Sequence, residues 1–363
     1  MITSLFSCLK NVDESIDENL AVINLQWNKA YADDSIEKAR LGLSWCYSIL
    51  GAKVLNSVVL SYNNAVFTVN INDIILDENA LNKIKILHLK IKETAAYKQT
   101  KSIDLGRYIS LLIGASEHYY SITNIPNTLD EVLSNYKLKP SKGFVNNSAV
   151  SLKHRVIQYT NQENKKQLFL SNETDPQTHD IVEYETIEIM ENGQLKFGIF
   201  DEDKNRVNVA NNKHTTAGKP AKCMWCHESN INQLFLPQND FLGYLTSQQF
   251  NDTLVKFNSD LRAQQNLLID GVKFSNRQEH VLLELAYITF MEPSVLRLSK
   301  EWNMSETDVK LLLSALPTHE HQEFPFLGVL YDRYDVEKFA PYKNLEVSTN
   351  IREESETEVN YID

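Results

Sequence analysis

Apolar positions recur along the chain at two different spacings, and the changes between them divide it into parts. Helical spacing, with apolar residues three or four positions apart, marks four segments of residues 20–140: 35–50, 80–98, 104–123 and 127–136. The last of these opens with Thr128 and Glu131 at the spacing of a capping box. Segment 57–76 alternates instead and predicts a hairpin that turns at Asn63-Asn64. Residues 20–140 are therefore predicted to form a mainly helical domain.

Strand patterns dominate the middle of the chain. Segments 154–160 and 166–171 predict paired strands around a polar turn. Segments 181–190 and 194–200 alternate strictly between apolar and polar residues, and Glu191-Asn192-Gly193 supplies a turn between them. This pattern predicts an antiparallel sheet of four or five strands within residues 143–243. Helical spacing returns in residues 244–345, over 247–269, 277–290, 294–302 and 307–316. The predicted fold class is α+β, with a helical N-terminal domain, a central antiparallel sheet and a helical C-terminal domain.

Composition and charge exclude several classes of protein. An apolar fraction of 42% over 363 residues excludes general disorder and is enough for two or three small cores. The net charge of −12 argues against a nucleic-acid binder, which needs a basic surface for phosphates. Residues 9–19 carry −3 of that charge and residues 346–363 carry −5, so we expect an acidic tether and a solvated acidic tail. The longest apolar stretch, residues 41–52, is too short to cross a membrane.

The first eight residues, MITSLFSC, place a leucine and a small residue ahead of Cys8. Leu5-Phe6-Ser7-Cys8 resembles in part the end of a bacterial lipoprotein signal, in which the cysteine becomes lipidated. The resemblance implies a lipid anchor at Cys8, a tether over residues 1–19, and a location in the periplasm or cell envelope. The alternatives are a truncated start and an ordinary cysteine at position 8. We expect no membrane contact other than this anchor.

The chemistry of the chain centres on Cys223-Met-Trp-Cys226-His227, a CxxCH motif that follows the predicted sheet. Residues i, i+3 and i+4 share one face of a helical turn, so two thiols and an imidazole point the same way. Thiols can form thioethers with the vinyl groups of haem, and a neutral imidazole nitrogen can bind its iron. Two other interpretations remain open: a zinc site with His214 as the nearest further ligand, and a redox-active dithiol. Cys46, on the apolar face of segment 35–50, is expected to be a core residue.

The motif resembles the haem-attachment site of c-type cytochromes. Because a sheet precedes it, the chain is also loosely similar in topology to β-sheet c-type haem proteins of the cytochrome c′-beta type. The resemblance implies one covalent haem c, attached outside the cytoplasm, with thioethers at Cys223 and Cys226 and with His227 as the proximal iron ligand. Electron transfer with a redox partner and binding or turnover of a small ligand at an open iron both agree with it.

The second axial position of the iron has no single candidate in the sequence. Met291 and Met304 are two possible ligands, and four histidines are further candidates: His214, His280, His319 and His321. An apolar run after the motif could wall a haem edge, through Leu234, Phe235, Leu236, Phe241 and Tyr244. No carboxylate pair or nucleophilic triad has a spacing that indicates an enzyme class.

Overall fold

The N-terminal part of the chain is built on a small sheet. The computed structural model describes residues 18–161, 167–231, 233–352 and 358–363. The strands are β1 (Val22–Gln26), β2 (Tyr62–Asn63), β3 (Val66–Asn70) and β4 (Ile103–Asp104), in the order β2-β3-β1-β4. The hairpin of β2 and β3 confirms the alternation over 57–76, although its turn lies at Asn64-Ala65, one residue later than predicted. The sequence pattern does not predict β1, which pairs with both β3 and β4.

Helices from the N-terminal part of the chain pack around this small sheet. They are α1 (Ile36–Ile49), α2 (Glu78–Glu93), α3 (Ala95–Thr100), α4 (Leu105–Ile109), α5 (Ser116–Thr123) and α6 (Leu129–Leu133). The capping box of Thr128 and Glu131 is present at the start of α6, as predicted. The single helix expected over 104–123 is divided, because α4 continues as a π-helical turn at Ser110–Gly114 and Ala115 is extended. Gly114 allows close contact there, since a Cβ at this position would lie 3.0 Å from the Tyr287 ring.

The predicted central sheet is present and is antiparallel throughout. Its strands are β5 (Gly143–Val145), β6 (His154–Tyr159), β7 (Leu168–Thr174), β8 (Ile181–Ile189) and β9 (Leu195–Asp201), in sequence order across the sheet. The turn between β8 and β9 depends on Gly193, whose φ of +85° favours glycine. Asn192 fixes the same turn to α1, because its amide donates to the carbonyl oxygens of Ser48 and Ala52. The sheet is therefore attached directly to the N-terminal helices.

The C-terminal helices complete the α+β fold. They are α7 (Cys223–His227), α8 (Ser247–Leu268), α9 (Val281–Met291), α10 (Val295–Glu301), α11 (Glu306–Leu312) and α12 (Arg333–Val336), with a short ribbon of β10 (His319–Glu320) and β11 (Val329–Leu330). Helix α9 packs against α1 and α4. Gly42 permits this contact, since a Cβ there would lie 2.7 Å from the Leu282 carbonyl oxygen. Helices α8 and α9 thus share one hydrophobic core with the N-terminal helices, whereas α10 and α11 pack around a second, smaller core.

The end of the chain corrects the prediction of a solvated acidic tail over 346–363. Ser348, Asn350, Ile351 and Ile362 are buried. Two of the acidic residues described here form ion pairs: Glu358 with Lys219, and Asp363 with Lys83. A count of charges along the sequence could not reveal these pairs, because each joins residues more than a hundred positions apart.

The membrane predictions fall partly outside the structure. Cys8 and the rest of residues 1–17 lie outside the described residues. Within the ranges that are described, no helix combines the length and the apolar character that crossing a bilayer requires.

Candidate functional site

The CxxCH motif occupies one short helix between two left-handed residues. Gly218, with a φ of +72°, redirects the chain, and Pro220 begins a 3₁₀ turn that leads into α7. Glu228 ends α7 in the left-handed region, where its N–H donates to the Met224 carbonyl oxygen. The sequence therefore forms a single helical turn here, which brings the side chains at i, i+3 and i+4 to one face.

Cys223, Cys226 and His227 line a common cavity of about 300 Å³. This volume is at the lower end of the range for small-molecule sites. The other walls come from the central sheet, from α8 and from the loops around residues 148 and 234. The lining is largely apolar and includes Val145, Ala149, Val150, Ile157, Phe169, Ile187, Ile231, Leu234, Phe235, Phe250 and Leu254. Of the apolar run suggested by the sequence, Leu234 and Phe235 reach this cavity, whereas Leu236 is exposed.

The sheet presents one face of three strands to the cavity. Residues two apart on a strand share a face, and the register aligns Ile157 with Ser171 and Ser171 with Glu185. On the same face, the pair of Ile157 and Ser171 is followed in one direction by Arg155 with Glu173 and in the other by Tyr159 with Phe169. The cavity wall consequently changes from aromatic at one end to charged at the other.

The charged end is a buried group of three carboxylates around one guanidinium. Arg155 donates to both oxygens of Glu185, at 2.9 and 3.2 Å, and to Glu173 at 3.3 Å. Glu183 accepts from the N–H of Asn211 at 2.8 Å. Glu173 and Glu183 each retain one oxygen with no hydrogen-bond partner among the described residues. If all three carboxylates were ionised, the group would carry a formal charge of −2, which is unfavourable for largely buried side chains.

Burial controls the protonation of this carboxylate group. Loss of water, together with the smaller effect of the negative charge of Glu185, raises the pKa of Glu183 to about 9. Burial also raises the pKa of Glu173, against the opposing effect of Arg155. Glu183 is therefore protonated at neutral pH. The sequence analysis missed all four residues, because alternation assigns Glu183 and Glu185 to one face of β8 without showing that this face is the buried one.

The motif residues have ionisation properties set mainly by burial. Burial, with a smaller effect of Arg155, lowers the pKa of His227 to about 4, so the imidazole is neutral at physiological pH. Burial also raises the pKa of the Cys223 and Cys226 thiols. The His227 ring packs against Phe197, with 5.5 Å between ring centroids, and its Nδ1 is buried without a hydrogen-bond partner among the described residues. A neutral imidazole is the form that binds a metal ion.

The other candidate ligands lie outside the cavity. Met291 is in α9, where its sulfur accepts a hydrogen bond from Ser110, and Met304 packs beside Trp302 in a separate small core. His214 lines a different, open depression, and His280 contacts Trp45. His319 bonds to Glu292, and His321 accepts from two backbone N–H groups. Cys46 is buried in α1, as its apolar neighbours predict.

The cysteines and histidines predicted as zinc ligands are not gathered into a preformed metal site in the described part of the chain. Within those ranges, one group of three or more histidine, cysteine or carboxylate side chains has its ligand atoms within 4.8 Å of each other: Glu173, Glu183 and Glu185. Cys223, Cys226, His227 and His214 do not form such a group.

Comparisons with protein-family models, with curated proteins and with solved structures found no match for this chain.

Proposed function

We propose that the protein is an exported c-type haem protein in which Cys223, Cys226 and His227 hold one covalent haem c. A haem held there would supply an iron at which a small molecule could bind or be turned over. The observation that carries the proposal is that the two thiols and the imidazole line one mostly apolar cavity. Export, and lipid attachment at Cys8, belong to the same proposal, because c-type haem is attached outside the cytoplasm.

The residues of the cavity fit a haem by their chemistry. The thiols of Cys223 and Cys226 supply the sulfur for two thioethers, and His227 supplies a neutral nitrogen for the iron. Ile157, Phe169 and the other apolar side chains exclude water from the space that faces them. When bound, a haem supplies an iron centre that can exchange electrons or bind small ligands.

The choice of small-ligand chemistry over simple electron transfer rests on what lines the cavity. Electron-transfer haems commonly have a second protein ligand such as methionine or histidine. Among the described residues that line this cavity, His227 is the one histidine, and there is no methionine. The polar side chains opposite α7 are Arg155, Ser171 and Glu185, which can donate to or accept from a small polar ligand.

The first experiment tests covalent haem. The full chain is produced behind an active signal peptide together with haem-maturation machinery, and the denatured protein is stained for haem on a gel. Haem staining is expected for the natural sequence, and Cys223→Ser combined with Cys226→Ser should abolish it. Cys46→Ser is the matched control, because that cysteine is buried elsewhere and should leave staining intact. A colourless protein with stoichiometric zinc refutes the proposal.

The second experiment tests the open iron position. A ferric protein without a second protein ligand should have a high-spin absorption spectrum, and the reduced protein should bind carbon monoxide rapidly. Met291→Leu and Met304→Leu should leave both spectra unchanged. A low-spin spectrum with a methionine-to-iron charge-transfer band, lost in either variant, contradicts the open site and supports electron transfer.

A further inference from the structure

The end of the chain lies against the segment that leads into the CxxCH motif. Lys219, immediately before the 3₁₀ turn, has a side chain that is only 1% exposed. Its ammonium forms an ion pair with Glu358 and donates to the carbonyl oxygens of Thr349, at 3.0 Å, and Gly114, at 3.4 Å. The ammonium is therefore held beside one carboxylate and two carbonyl oxygens.

Backbone contacts join the same two segments. The N–H of Lys219 donates to the Ile351 carbonyl oxygen at 3.4 Å. Gly218 lies so close that a Cβ there would be 2.8 Å from that oxygen. The N–H of Ile351 in turn donates to the hydroxyl of Tyr287, whose ring meets Trp225 of the motif edge to face, 6.1 Å between centroids. The end of the chain therefore contacts the motif through α9 as well as through Lys219.

Glu358 connects these contacts to the helical core. Its second oxygen accepts from the N–H of Ser116, at 2.8 Å, and from the hydroxyl of Ser348, at 3.3 Å. A buried ion pair contributes little net stability, but removing one partner leaves an isolated buried charge and is strongly unfavourable. The pair of Lys219 and Glu358 thus favours the arrangement in which these two residues, the backbone at 114–116 and residues 348–349 are in contact. An interaction of this kind fixes the position of the segments that it joins.

We propose that residues 348–352 and 358, here named the clasp, position the Cys223–His227 helix at its cavity, with Lys219 and Glu358 as the positioning pair. The inference rests on the proposed function for its purpose, since a haem ligand must keep a fixed orientation. Residues 219 and 358 are 139 positions apart in the sequence.

Hydrogen exchange of the full chain, produced without haem, tests the clasp. Glu358→Gln and Lys219→Met should each speed amide exchange in residues 218–230 by at least about tenfold, because a buried charge loses its partner. Exchange in α1 should not change. The double variant should exchange no faster than Lys219→Met alone, since both substitutions remove one interaction. Asp363→Asn is the matched control, because Asp363 pairs with Lys83 away from the motif.

A second readout separates positioning from general stability. In the haem-loaded protein, Glu358→Gln should shift the ferric absorption spectrum, whereas Asp363→Asn should not. Unchanged exchange in 218–230, or equal acceleration in α1, overturns the clasp. Failure of the natural chain to take up haem refutes the proposed function alone, because the exchange experiment needs no haem.

Discussion

Glu183 provides a direct test of the electrostatics at the charged end of the cavity. It is 1% exposed, and burial together with the charge of Glu185 raises its pKa from the ordinary 4.5 to about 9. Between those two values the unfolded chain has lost the proton while the folded chain keeps it, so the folded state binds one proton more. The stability that protonation gives is therefore complete below pH 4.5 and is lost progressively as the pH rises to about 9.

The size of the effect follows from the two pKa values. Each pH unit within this interval costs at most about 1.4 kcal/mol, so the accumulated cost at pH 7 is about 3 kcal/mol. Glu183→Gln replaces the protonated acid with a neutral side chain of the same shape, whose oxygen can still accept from the N–H of Asn211. The substitution removes the proton linkage without removing this contact. The variant should therefore be the more stable form at pH 7, and its advantage should grow with pH.

Urea unfolding of both forms, followed by tryptophan fluorescence at several pH values from 5 to 9, measures this difference. The two midpoints should nearly coincide near pH 5 and diverge as the pH rises. Glu191→Gln is the control, because that carboxylate lies in the exposed turn after β8 and should keep the pH dependence of the natural chain. Parallel pH profiles for the natural chain and Glu183→Gln refute the reasoning, because they would mean that Glu183 is ionised in the folded protein.

Two further substitutions test packing and charge elsewhere. Burial raises the pKa of Asp104, but Arg297 outweighs it and lowers that pKa to about 2, so Arg297→Met should cost about 3–5 kcal/mol at pH 7. The stability from this ion pair is present above pH 3.8, the ordinary pKa of Asp104, and is lost as the pH falls and the carboxylate is protonated. The urea midpoints of the natural chain and Arg297→Met should therefore converge near pH 2. A difference that does not change with pH contradicts the pairing. Gly143→Ala places a Cβ 2.4 Å from the Phe250 ring, which lines the cavity, and should cost about 1–3 kcal/mol. An unchanged thermal midpoint for this variant contradicts the close packing of β5 on α8.

The elements that sequence patterns predict well are those with a strong period and a clear boundary. Helix α1 has an apolar stripe and the N-cap Ser35, and the turn after β8 has glycine at the position that needs positive φ. Strand β1 was missed because its five residues have the short alternation that also occurs at the edge of a helix, and its pairing with β3 is a tertiary contact. Local periodicity carries no information about that partner.

The candidate site likewise has one part that the sequence predicts and one part that it does not. The CxxCH motif is a local signal, because its two cysteines and its histidine lie within one helical turn. Arg155, Glu173 and Glu185 belong to three strands and meet only through the register of the sheet. A polar residue on an alternating strand is usually assigned to the solvent face. Here that assignment is reversed, because Glu185 lines the cavity and Glu183 is covered by the backbone of Asn211. The polar half of the cavity therefore became apparent only from the structure.

The carboxylate group does not make the folded protein more stable. Glu183 stays buried and protonated beside the pair of Arg155 and Glu185, and this costs about 3 kcal/mol at pH 7. Replacing a buried ionic group by apolar residues is often neutral or even stabilising. The rest of the cavity wall, from Ile157 to Phe169, shows that this sheet face can be filled with apolar side chains. A mostly apolar cavity with a costly charged end is the distribution expected of a site that must orient a polar ligand, because orientation requires a few fixed donors and acceptors within an otherwise dry space. This cost is consequently an argument for ligand binding in the cavity, independent of the CxxCH motif on its opposite wall.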